Sequence, residues 1–230
     1  MIIKPYYEEK DIIIYNGDCL EIINELKKEL NFNNIVFVSD PPFNIGYHYN
    51  KYKDKLSEDE YYIWLEKIFG NYKKVIIHYP EQLYKFSFQI GEFPEKVVSW
   101  VYNSNTAKQH RDIVFFGIKP DFTKVGQPYK NPNDKRIAKR IAEGKMARLY
   151  DWWEINQVKN VSKKHSHPCV MPEKVMTNII GLLPENLLIV DPFMGSGTTL
   201  LAAKKLGRKA IGIEISEEYC KIAYDILKNI

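Results

Sequence analysis

LLIVDPFMGSGTT, residues 187–199, decides how the chain is read. Leu187 to Val190 are apolar and run into Asp191-Pro192, glycines follow at Gly195 and Gly197, and Thr198 opens an apolar stretch through Leu200, Leu201 and Leu206. That order predicts a buried strand, a tight turn and a helix. Glycine at such a turn lets backbone approach a ligand and aims the first helical amides at it, so the turn is a cofactor-site candidate. Two common glycine loops fail here. A phosphate-binding P-loop needs Lys where Thr198 stands, and a dinucleotide fingerprint needs a third small residue where Leu200 stands. A second apolar run, Lys209 to Ile213, ends in Glu214, placed to accept bonds from ribose hydroxyls. A nucleoside cofactor without a pyrophosphate fits both features.

Outward from this stretch, apolar runs predict strands near residues 12, 35, 75, 97, 113, 187 and 209. Helices fall between most of them. One begins at Asp18 with Leu20, Ile23, Leu26 and Leu30 at helical spacing, and another follows the Ser57/Glu60 capping box, with Tyr61, Trp64, Leu65, Ile68 and Phe69 on its core face and a stop at Gly70. Pro80 opens a third helix and Ser216 caps the last. The class is therefore α/β, a parallel or mixed sheet covered on both faces, with ligands at the carboxyl ends of the strands. The strand near residue 35 stops at Asp40-Pro41-Pro42-Phe43, where two prolines withhold amide donors and impose a rigid turn with exposed carbonyls. Residues 44–56 show no periodicity and read as a loop beside the site.

A chain of 230 residues with 45% hydrophobic content suits one α/β domain, or one with a modest insertion. No apolar run approaches the roughly 18 residues of a membrane span, and Pro5, Glu8 and Glu9 do not belong to a signal peptide, so a cytoplasmic protein is expected. Three scattered cysteines, Cys19, Cys169 and Cys220, argue against a disulfide framework. The net charge is only +4, but eleven Lys or Arg stand against five acids in residues 121–164, where the strand pattern disappears. There Asn133 to Glu143 reads as a helix with Ile137 and Ile141 inward and Lys135, Arg136, Lys139 and Arg140 outward. Such a face is either a solvated surface or a phosphate-contacting one. Trp152 and Trp153 suit packing of this segment on the sheet better than stacking on a base. His165, His167 and Cys169 lack a second cluster to complete a metal site, so no metal is expected.

The stretch Asp191 to Thr199 resembles the S-adenosylmethionine motif of amino-methylating DNA methyltransferases, and Asp40-Pro41-Pro42-Phe43 resembles their catalytic tetrapeptide. The catalytic motif comes first, as in the circularly permuted β class. The resemblance implies a Rossmann-like seven-stranded S-adenosylmethionine-dependent methyltransferase sheet, permuted, made of a catalytic half (1–119), a small basic target-recognition insertion (120–164) and a cofactor half (165–230). It implies catalytic roles for Asp40, Pro41, Pro42 and Phe43. Cofactor contacts are implied for Asp18, Asp40, His167, Pro168, Asp191, Pro192, Phe193, Gly195, Ser196, Gly197, Thr198 and Glu214, and DNA contacts for Lys135, Arg136, Lys139 and Arg140. Asp18 also reads as a helix cap, and one carboxylate cannot easily do both.

The expected reaction is methyl transfer from S-adenosylmethionine to N6 of a flipped adenine in a short double-stranded DNA target, with Phe43 offering the base a stacking face. Asp before the prolines is more usual for adenine and Ser for cytosine, and N4-cytosine is the alternative. A catalytically inactive nucleic-acid-binding protein is the alternative of another class, set against the intact Asp40, Phe43, Asp191 and Glu214. RNA is the other substrate to be weighed, and the resemblance leaves room for a homodimer and a cognate restriction endonuclease.

Overall fold

The computed structural model describes residues 4–46, 55–158 and 170–230. Its first half holds β1 (Tyr7–Glu9), β2 (Ile12–Asn16), α1 (Cys19–Glu29), β3 (Ile35–Ser39), α2 (Glu58–Phe69), β4 (Lys74–His78), α3 (Pro80–Ile90), β5 (Lys96–Val101) and β6 (His110–Phe116). Then follow β7 (Gly126–Gln127), α4 (Ala138–Ala142), β8 (Ala147–Arg148), β9 (Trp152–Glu154), α5 (Glu173–Gly181), β10 (Leu188–Asp191), α6 (Thr198–Lys205), β11 (Ala210–Glu214) and α7 (Glu217–Lys228).

The main sheet has the order β1-β2-β11-β10-β3-β4-β6-β5-β9. From β2 to β4 the strands are parallel, and β6 runs antiparallel to both β4 and β5. The strands expected from apolar runs are the seven central ones. The edges β1 and β9 are three residues each, too short to show as periodic runs. Successive residues of β3 point to opposite faces: Val36 and Val38 join the cluster under α5, α6 and α7, and Ile35 and Phe37 the cluster under α1, α2 and α3. Both faces are thus covered, which is why the parallel strands read as unbroken apolar runs.

Local chemistry sets the helix ends. The Ser57 and Glu60 capping box forms, and Pro80 starts α3, which closes on Gly91 in the left-handed conformation. Ser216 stands at the N-cap of α7 but makes no side-chain cap bond, and its own amide donates to the Glu214 carboxylate Oε1 at 2.8 Å.

The basic segment departs from expectation in two ways. It is not strandless: β7 pairs with β8 in a small ribbon, and β9 adds to the main sheet beside β5. The helix expected over residues 133–143 is only Ala138–Ala142. The Asp134 carboxylate accepts the Arg136 amide and guanidinium, a local turn that competes with a helix start, and Gly144 at φ 68° ends it. Ile141, expected inward, is 36% exposed, so no buried face holds a longer helix in place. Trp153 is buried and its indole donates to the Tyr150 carbonyl, as packing on the sheet requires.

Candidate active site

β3 and β10 are parallel neighbours, with Val190 beside Phe37. Asp40, just past β3, and Asp191, ending β10, therefore leave the sheet at the same end. From there the chain turns toward β4 on one side and β11 on the other, which makes this the topological switch point. A cavity of about 440 Å³ opens at it, within the range of small-molecule sites.

The cavity is lined by Asp18 on one flank, by Asp40, Pro41, Pro42 and Phe43 on another, and by Asp191, Pro192, Phe193, Gly195, Ser196, Thr198 and Glu214 along its floor. Gly197 does not line it. At φ 84° Gly197 packs so closely on α7 that an added Cβ would sit 2.7 Å from Ala223 Cβ, which makes it a packing glycine. His167 and Pro168, with His165 and Cys169, lie outside the described residues. Lys135, Arg136, Lys139 and Arg140 are exposed and away from the cavity lining.

The Asp191 carboxylate ties the floor together. Its Oδ1 accepts from Ser39 Oγ at 2.9 Å and from the Phe193 amide at 3.1 Å, and Oδ2 accepts from Thr199 Oγ1 at 2.5 Å. Burial pushes its pKa up to about 6 against those three donors. Glu214 joins Gly195 to Ser216, accepting the two amides on separate oxygens at 3.1 and 2.8 Å, and burial raises its pKa as well. Asp18 does cap α1: Oδ1 takes the amides of Leu20 and Glu21 at 2.8 and 3.2 Å, which leaves Oδ2 for a ligand. Asp18, Asp40, Asp191 and Glu214 thus bring four carboxylates to a cavity whose described cations are Arg111 and Lys108, a surplus of acid that suits a positively charged guest. With a left-handed glycine at Gly195 and the apolar walls Phe193, Met171 and Met176, these residues fit a nucleoside carrying a sulfonium.

The rigid turn is held from behind. Tyr61 hydroxyl donates to the Pro42 carbonyl at 2.6 Å and lies 3.0 Å from His78 Nε2. His78 Nδ1 accepts the Tyr79 amide, so Nε2 carries the proton and donates to Tyr61. Burial, with Arg111 and Lys108 nearby, pushes His78 down to about 3 and keeps the ring neutral. Asp40 Oδ2 accepts from Arg111 Nη1 at 3.2 Å, while Oδ1 is enclosed with no hydrogen-bond partner among the described residues. Burial pushes the Asp40 carboxyl up to about 6, with Arg111 opposing and Asp191 adding to the shift.

Phe43 does not offer the free face expected of it. His78 stacks on its ring at 4.2 Å and 28°, and the Arg111 guanidinium carbon lies over the ring at 4.6 Å. Two planar groups cannot share one face, so the ring is sandwiched. Sequence reasoning missed Arg111, although a charged pair, Arg111-Asp112, at the head of the apolar run Ile113 to Phe116 is an available signal. Trp64, read as a core residue, does pack on the core cluster and also lines the cavity against Phe193 at 5.2 Å, a second role that sequence reasoning missed.

The architecture is shared with solved structures. PvuII DNA methyltransferase (cytosine-N4-specific) matches at a TM-score of 0.69 and 19% identity, covering 97% of this chain and 88% of that one. M1.HpyAVI in its SAM complex matches at 0.62 and 22%, covering 94% and 99%. Sheet and switch-point cavity thus define a Rossmann-like methyltransferase fold. A family model described as DNA methylase matches residues 35–225, and the chain belongs to this N6/N4 family. Among curated proteins, type II methyltransferase M.ScaI of Streptomyces caespitosus is 29% identical over 96% of this chain and 82% of its own length. DNA adenine methyltransferase YhdJ of Escherichia coli K12 is 28% identical over 94% and 81%. The protein is an S-adenosylmethionine-dependent DNA methyltransferase of the N6-adenine/N4-cytosine kind.

Proposed function

We propose that the protein methylates N6 of adenine in a short duplex target, acting on a base flipped out of the helix into the switch-point cavity. The observation that carries this reading is Asp40: a carboxylate at the cavity with one oxygen enclosed and unpartnered among the described residues, on a turn stiffened by two prolines. An exocyclic amine is a poor nucleophile because its lone pair is delocalised into the ring. Asp40 and the Pro41 carbonyl each accept one of its hydrogens, which draws the nitrogen toward tetrahedral geometry and frees the lone pair. Tyr61, through its bond to Pro42, holds the carbonyls of the turn in place. Asp18, Glu214 and the loop residues Asp191, Pro192, Phe193, Gly195, Ser196 and Thr198 would hold the cofactor. S-adenosylmethionine supplies an electrophilic methyl on a positively charged sulfur.

The base must leave the duplex because its amine is otherwise engaged in pairing. The basic segment, residues 120–164, acts as a small recognition unit in a sheet permuted relative to the other methyltransferase classes, with Lys135, Lys139 and Arg140 free of ion pairs among the described residues. Arg136 contributes less, since Asp134 holds it at 2.6 Å. A cytoplasmic enzyme partnered by a restriction endonuclease of the same specificity completes the proposal, the partner being suggested by relatives named type II methyltransferases.

The test is methyl transfer from labelled S-adenosylmethionine to mixed unmethylated duplex DNA, followed by nucleoside mass analysis. N6-methyladenine is the expected product. N4-methylcytosine would keep the mechanism and overturn the target, and label on matched RNA alone would overturn the substrate.

A further inference from the structure

We propose that the Arg111 guanidinium holds the place of the target base while DNA is absent, and that a base enters the site by displacing it. This rests on the reading above that a flipped base reaches the cavity. The guanidinium makes the two contacts that a base amine is expected to make there. It lies over the Phe43 ring at 4.6 Å, and its Nη1 donates to Asp40 Oδ2 at 3.2 Å. The group is flat and donates in its own plane, so it imitates an aminopurine or aminopyrimidine edge. Its remaining surroundings are the walls of an aromatic slot: Trp100 at 5.4 Å, Tyr79 at 5.7 Å and Tyr102 at 6.0 Å. His78 already covers the other face of Phe43, so while Arg111 is seated no face of that ring is open to a base.

The two occupants exclude each other electrostatically as well as sterically. Attack of the amine on a sulfonium methyl places positive charge on the nitrogen that Asp40 holds, and a guanidinium left on Asp40 would oppose that charge. Arg111 is held at its tip, by Asp40 and the Tyr102 hydroxyl, and not along its stem: its Nε is enclosed without a hydrogen-bond partner among the described residues. Unseating it costs a stack, an ion pair and the hydrogen bond to Tyr102. A base with an exocyclic amine restores both a stack and a projecting N–H donor to Asp40, whereas the one ring donor of thymine, N3–H, is recessed between two carbonyl oxygens that repel the carboxylate. Arg111 is thereby a specificity device for amine-bearing bases and a positioning residue, not a catalytic one.

The test begins with the wild-type enzyme on mixed duplex DNA, its methylated position mapped by mass analysis and sequencing. No methylation at that stage would remove the functional reading, whatever Arg111 does. With the site known, a duplex carrying 2-aminopurine at or beside the target reports base extrusion by fluorescence in the presence of S-adenosylhomocysteine. Arg111→Ala is expected to raise the extruded fraction and tighten duplex binding by about tenfold, equal to about 1.4 kcal/mol. Arg111→Met, which keeps the bulk of the stem without the guanidinium, is expected to do the same. Weaker or unchanged extrusion in either variant, with S-adenosylhomocysteine affinity intact to show a folded site, would overturn the proposal. Arginine side-chain NMR of the wild-type protein needs no variant fold. The Arg111 resonance, displaced by the aromatic slot, is expected to move to the exposed-arginine position when target duplex is added, and an unmoved resonance would also overturn it.

Discussion

In the proposed reaction Asp40 is the residue on which the chemistry turns, and its surroundings make it sensitive to pH. Burial pushes its carboxyl up to about 6. Protonation turns one carboxyl oxygen into a donor and removes the negative charge that faces the amine, so activity belongs above that value and is lost as pH falls through it. The kcat/KM for methylation, which reports the free enzyme with Arg111 seated, is expected to decline on the acid side with a midpoint near 6, and a value level from about pH 5 to 7 would contradict the role given to Asp40. Asp40→Ala is expected to reduce methyl transfer by at least about 10²-fold while leaving cofactor affinity within a small factor, since Asp191, Glu214 and Asp18 remain. Equilibrium dialysis with S-adenosylmethionine separates the two effects.

At the scale of elements, the turn between β10 and α6 depends on packing as much as on ligand contact. Gly197→Ala forces a side chain into a left-handed conformation and against Ala223 on α7 at 2.7 Å, so a destabilisation of roughly 1–3 kcal/mol is expected in denaturant titration, together with weaker cofactor binding. The loop before β11 has its own fastening. Arg208 is buried and its guanidinium donates to the carbonyls of Ile180 at 3.1 Å and Pro184 at 2.5 Å, joining the end of α5 to the sheet. Arg208→Met keeps the bulk and strands those carbonyls, and is expected to cost about 2–4 kcal/mol in the same measurement. On the basic segment, Lys139→Glu with Arg140→Glu is expected to weaken duplex binding and reduce the slope of log affinity against log salt by about 2, without altering cofactor binding. An unchanged slope would remove α4 from the DNA interface.

Over the whole molecule, the cavity lies where strands from both halves of the chain meet, so a ligand there joins segments distant in sequence. S-adenosylhomocysteine at about a hundred times its dissociation constant is expected to stabilise the fold by about 2.7 kcal/mol, a rise in melting temperature of roughly 5–10 °C. No helix among the described residues is long and apolar enough to cross a membrane. The central strands, the rigid turn at Asp40 and the glycine turn after Asp191 were legible beforehand because each is a local signal: an apolar run, a proline pair, or glycine between a strand and a helix. The basic segment was not. Its strands are two or three residues long and its helix yields to the Asp134 turn, so no period accumulates.

Read alone, the chain specified its α/β class, the placing of its two motifs at strand ends and the acid after each strand, since backbone conformation there follows from neighbouring residues. Which strands lie side by side, and what each acid touches, came only from the fold. Asp191 meets Ser39 across 152 residues and Arg111 meets Asp40 across 71. Such pairings depend on sheet order and register, to which no local period corresponds. A single arginine at the head of β6 could therefore fill the slot that sequence reasoning had left open for a base.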